Sequence, residues 1–187
     1  MINPLWLQRL RHGRGFGVHS PFAFAFITEV LRESKTYDFY ASALIELEWR
    51  KRSASGALLP PLGECLLLYR VLERLRPSEV RVVCAQKGRK AFYEYVASRV
   101  PAGPLENAGF FIVDARGGSD GTDVAGALEM ASEAKAGAFL AGMGAAAAAW
   151  GAYLAAMPCG MSFANKGGVG IFAALPHLPR QDFAVSF

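Results

Sequence analysis

The chain is poor in the residues that build small, rigid chemical sites. It has only three cysteines, Cys65, Cys84 and Cys159, in 187 residues. Their odd number and unpaired spacing argue against a disulfide framework and against a zinc site. Each sits in an apolar segment, where a buried thiol is expected. Histidine is equally scarce, with His12, His19 and His177. No second His, Cys or carboxylate stands at metal-ligand spacing from any of them. No apolar run reaches the length that spans a bilayer, so no membrane partner is expected. The weakly polar stretch 136–156 is mostly Ala and Gly and reads as a strand followed by a helix. Pro4, Gln8 and Arg9 interrupt the early apolar residues, so no leader peptide is expected and a reducing cytoplasm is the expected location.

Acid is missing from the start of the chain. Arg9, Arg11 and Arg14 have no acidic neighbour before Glu29, and a second basic cluster is Arg50-Lys51-Arg52. The net charge is nevertheless only +4. Such mild basicity permits contact with anions without requiring it. No nucleic-acid motif is present, and nucleic-acid binding is not expected.

What is present is a globular composition, 52% hydrophobic and 19% charged, long enough for a sizeable core. Residues 1–76 read as a helical cap. Ser20 is an N-cap candidate with Pro21 at the first helical position. Phe22, Phe26, Ile27, Val30 and Leu31 then recur at helical spacing. The segment 37–51 predicts another helix, and 62–75 a strong one stopped by Pro77. Residues 77–187 change period. The runs 80–84, 110–114 and 138–141 are apolar without alternation, as in parallel strands covered on both faces. Helical stretches 91–100, 122–135 and 145–157 separate them. That alternation predicts an α/β sheet with crossovers. The strands 161–164, 169–174 and 183–187 are joined too closely for crossovers, which predicts an antiparallel closing hairpin. Cap and sheet are expected to form one compact unit.

The turn after the first strand carries little glycine. A nucleotide-binding βα turn is glycine-rich, so that backbone N–H groups can approach the ligand. Here residues 84–90 read Cys-Ala-Gln-Lys-Gly-Arg-Lys, with Gly88 alone.

A parallel sheet closed by an antiparallel strand resembles the class I S-adenosylmethionine-dependent methyltransferases. The residues Arg14-Gly15-Phe16-Gly17-Val18-His19-Ser20-Pro21-Phe22 resemble the HSPF opening of one bacterial branch, and residues 37–46 its following segment. Leu67-Leu68-Tyr69-Arg70 and Arg76-Pro77 resemble the helix leading into the first strand. Gly170-Ile171-Phe172 and residues 182–187 resemble the family's last strands. The resemblance implies a Rossmann-like sheet and an S-adenosylmethionine site. The departures are large. Of the family's first loop only Gly88 survives within residues 81–88. Only residues 101–108 separate the first sheet helix from the next strand, so about two strands are missing. Phe111-Ile112-Val113-Asp114 keeps the acid of its strand, but Ala141-Gly142-Met143-Gly144 offers none.

Gly88 and Asp114 are thus the candidate cofactor-binding residues, if the ancestral function persists. Arg116 stands close enough to pair with Asp114 and neutralise it. Lys87, Arg89 and Lys90 are candidate anion-binding residues at a helix N-terminus, and in the alternative they fill or guard the same cleft. His19 is either a base or a buried, hydrogen-bonded residue of the cap. Residues 117–121 form a turn without a P-loop pattern. The expected function is that of a degenerate methyltransferase-fold protein that transfers no methyl group and takes no cofactor, acting as a structural or interaction module. The alternatives are a divergent methyltransferase and an anion- or nucleic-acid-binding module. The missing strands expose the run 80–84 as a sheet edge, which predicts a homodimer through that edge or a helical cover.

Overall fold

The computed structural model describes residues 20–53, 58–116, 123–165 and 168–187. Helix α1, Pro21–Phe26, starts as its residues dictate: Ser20 Oγ accepts from the Ala23 N–H at 3.3 Å, with Pro21 at the first position. It runs on as a wider π-type turn, Ile27–Leu31. Helix α2 spans Asp38–Ser53 and α3 spans Leu62–Leu75. Arg76 ends α3 in the left-handed region at φ 46°, and Pro77 prevents its continuation.

Strand β1 (Val80–Cys84) leads into α4 (Lys87–Ser98), β2 (Phe110–Asp114), α5 (Val124–Glu133) and β3 (Gly137–Ala141). A 3₁₀ turn, Met143–Ala146, opens α6 (Ala147–Ala156). Strands β4 (Met161–Ala164), β5 (Val169–Ala173) and β6 (Gln181–Ala184) follow. Together they form a mixed, Rossmann-like α/β sheet of order β1-β2-β3-β5-β4-β6. The first three strands are parallel, and β5 lies antiparallel between β3 and β4. Among the described residues, no helix is long and apolar enough to cross a membrane.

Two expectations need correction. The tail is not wholly antiparallel: β4 and β5 are, but β6 pairs parallel with β4. The outer edge of β5 is already taken by β3, so residues 174–180 pass the end of β4 and place β6 on its free side. The strand also begins at Gln181 rather than Phe183. The turn after β1 is shorter than the glycine-poor stretch suggests. Helix α4 begins at Lys87, leaving only Ala85 and Gln86 between the elements. Lys, Arg and Ala favour the helix and outweigh the single Gly88.

Alternate side chains of the sheet enter two apolar layers. Phe110, Ile112, Phe139, Phe163 and Ile171 face α1–α4, while Phe111, Val113, Leu140 and Phe172 face α5 and α6. The helical cap therefore shares one core with the sheet. Gly170 lets α6 come close, because a Cβ there would stand 2.9 Å from the Trp150 ring. Phe163 stacks between Phe26 of α1 (4.7 Å between centroids) and Phe183 of β6 (5.4 Å). The chain's last residues are tied back too. Arg32 donates to the Ser186 carbonyl at 3.0 Å and Asn165 to the Phe187 carbonyl at 3.2 Å.

Phe163→Ala removes the middle ring of that stack from a fully buried site. It should cost about 3–5 kcal/mol in denaturant unfolding. Deleting residues 182–187 removes Phe183, buried Val185 and both carbonyl acceptors. That truncation should yield no soluble folded protein, as read by fractionation of the expressed chain.

Candidate functional site

The carboxyl ends of β1, β2 and β3 lie side by side, with Cys84, Asp114 and Ala141 in register. This is where open α/β sheets bind their ligands. Here side chains of the protein occupy it. Asp114, the last residue of β2, is 1% exposed. Helix α3 contributes Glu64, α4 contributes Tyr93 and Arg89, and the segment after β2 contributes Arg116.

Arg116 joins the group. Its Nε donates to Asp114 Oδ1 at 2.9 Å, and its backbone N–H donates to the same oxygen at 2.9 Å. Its Nη2 lies 2.8 Å from Asp114 Oδ2, 2.7 Å from Glu64 Oε1 and 2.8 Å from the Tyr93 hydroxyl. The Tyr93 hydroxyl has one proton and two acceptors in reach, Glu64 Oε1 at 2.5 Å and Asp114 Oδ2 at 3.0 Å. Arg89 approaches Asp114 Oδ2 at 3.5 Å from the first turn of α4. Two carboxylates and two guanidiniums thus balance in charge. The stem of Arg116 lies over Gly142, at φ 75°, where a Cβ would come within 2.6 Å of Arg116 Cγ. A glycine at the end of β3 is what lets the arginine lie there.

The electrostatics follow from this geometry. Burial alone would raise the Asp114 pKa, but hydrogen bonds from Arg116 outweigh it and hold the carboxyl below its ordinary value. Burial works against the Arg116 charge, and bonds to Asp114 and Glu64 outweigh that too, so its pKa is raised. Burial and the neighbouring carboxylates push the Tyr93 phenol up. Burial also raises both nearby thiols, Cys65 and Cys84, which keeps them protonated and poor nucleophiles. Asp114 is buried and both its oxygens face the Arg116 guanidinium, so it presents no free carboxylate to an incoming hydroxyl.

Of the sequence-predicted residues, Asp114 and Arg116 do pair. Gly88 lies in the first turn of α4. The three cations do not form one cluster. Arg89 turns inward to Asp114, Lys90 faces Glu94 at 3.9 Å, and Lys87 is exposed. Gln86 Oε1 and Arg89 Nε are buried without a hydrogen-bond partner among the described residues. Arg9, Arg11, Arg14, His12, His19 and residues 117–122 lie outside the described residues. Among those described, no group of three His, Cys, Asp or Glu could hold a metal ion.

Glu64 and Tyr93 were not read as site residues. Glu64 had a visible mark: it shares a helical stripe with Leu68 and Leu72, both fully buried. An acid on a buried stripe requires a partner. Clefts open elsewhere. One of about 220 Å³ lies at the opposite end of the sheet, between Leu75, Pro77, Asn107, Phe110, Gly137 and His177. Compared with known proteins, the chain matches no family model, no curated protein and no solved structure.

Arg116→Leu should leave Glu64 and Asp114 buried together without their main cation. A loss of about 3–5 kcal/mol is expected at neutral pH. The pH dependence should change sign. In the wild type the folded pKa of Asp114 is depressed, so its contribution is complete above the unfolded value of about 3.9 and is lost as pH falls below it. In the variant the uncompensated carboxyls titrate higher when folded, so stability falls as pH rises. Thermal melts between pH 5 and 8 check this: the deficit of the variant should shrink toward pH 5.

Proposed function

We propose that the chain is a reduced relative of the class I S-adenosylmethionine-dependent methyltransferases that transfers no methyl group and serves as a structural or interaction module. One observation carries the reading: the Arg116 guanidinium fills the crevice at the carboxyl ends of β1–β3 and holds both acids that face it. Support for the ancestry comes from β5, a single antiparallel strand set between β3 and β4 in an otherwise parallel sheet. Further support for a lost activity comes from the turn Ala85-Gln86, which has no glycine to let a cofactor approach the backbone. The residues at the crevice do not suit S-adenosylmethionine, whose ribose hydroxyls need a free carboxylate.

A divergent methyltransferase is the second reading, favoured by the survival of Asp114 at the end of its strand. The anion-binding reading is weakened by the inward turn of Arg89.

A thermal-shift titration decides between the first two. At 1 mM, S-adenosylmethionine and S-adenosylhomocysteine should leave Tm unchanged. A dissociation constant of 100 μM would stabilise the native state by about 1.4 kcal/mol and raise Tm by roughly 3–6 °C. Such a saturable rise would overturn the non-catalytic reading.

A further inference from the structure

Helix α2 is apolar on two faces. Phe39, Ala43 and Leu47 are buried in the core, while on the outer side Ile45 is 70% exposed and Trp49 61% exposed. A helix with apolar residues on both sides has a second surface to cover. Its other side is held to the protein: Arg50, oriented by Glu46 of the same helix at 2.6 Å, lies over the rings of Phe92 and Tyr95 on α4.

The outer stripe has a pattern that names its partner. Asp38, Ile45 and Arg52 follow one another at intervals of seven, so they share one face of the helix. Ile45 is the midpoint, with an acid seven residues before it and a cation seven residues after. Both are exposed, and neither is ion-paired with another described residue. Ala41 and Trp49 flank Ile45 at equal intervals of four. Consider a second copy laid antiparallel with the two Ile45 residues at the crossing. Asp38 of each helix then meets Arg52 of the other, and each Trp49 lies beside the small Ala41 of its neighbour. Charge and volume are both complementary. The helix dipoles oppose, and each charge sits at the helix end that favours it.

We infer that two copies of this chain associate through α2, antiparallel and two-fold symmetric about Ile45. The contact is isologous, so both partners use the same patch and the assembly closes at two. This rests on the interaction role proposed above and supplies its partner. The mass measurement does not involve the crevice, so either can fail while the other stands.

The test is light scattering and sedimentation equilibrium on the full-length chain. The expected mass is twice 20.1 kDa. Ile45→Glu should give a monomer with unchanged circular dichroism. Asp38→Arg and Arg52→Asp should each weaken the dimer about tenfold, since the symmetric pair occurs twice. The double variant Asp38→Arg with Arg52→Asp should restore it, a result that a merely structural role of either residue would not produce. A monomer at every concentration overturns the inference. So does a dimer that survives Ile45→Glu, which would place the interface elsewhere, as on the β1 edge. A double variant no tighter than the singles also overturns it.

Discussion

Two carboxylates can share a dry site only when a cation is fixed between them. Asp114 belongs to the sheet and Glu64 to the cap, and Arg116 is the cation that lies between them. The arrangement does more than neutralise charge. It joins α3, α4 and the end of β2 through side chains that meet at the carboxyl end of the sheet. Tyr93 completes it with a hydroxyl that accepts from the arginine and donates to an acid. Separating α3 from the sheet would strand charges on both sides. The crevice is therefore closed by electrostatics, while the rest of the molecule is closed by apolar burial.

Much of the fold was legible because its signals are local. The runs at β1, β2 and β4 are short, apolar and bounded by breakers, and their limits agree with the structure. Helix α3 was readable to the residue from its stripe and from Pro77. The failures have a common physical cause. The parallel placement of β6 depends on which edges are free after β5 has joined β3, and no local pattern encodes that. The start of α4 was missed because Lys87–Lys90 resembles a charged loop, although those residues also favour helix. At the site, the Asp114–Arg116 pair was visible two residues apart. Glu64 lies 52 residues from Arg116, and only the folded sheet brings them together.

A small sheet has proportionally more edge. Among the described residues β1 is hydrogen-bonded only to β2, and its Arg81 is exposed, bridging Glu79 at 3.1 Å and lying over Phe111. A charge within an edge strand discourages pairing with another chain. Helix α2 instead carries exposed apolar side chains, at Leu44, Ile45 and Trp49. Helical faces associate through side chains and leave no open backbone ladder, so apolar residues there carry less risk of edge-to-edge pairing.

The stack of Phe26, Phe163 and Phe183 has a consequence for how the protein is made. Its first ring, Phe26, is synthesised well over a hundred residues before its second, Phe163. At ribosomal speeds of roughly 5–20 residues per second, that interval lasts on the order of ten seconds. Throughout it, α1 has been born and its partner surface has not. The buried ring of Phe26 therefore waits for its stacking partner until β4 has been made. Folding of the cap is thus coupled to the synthesis of β4 and β6 rather than to its own.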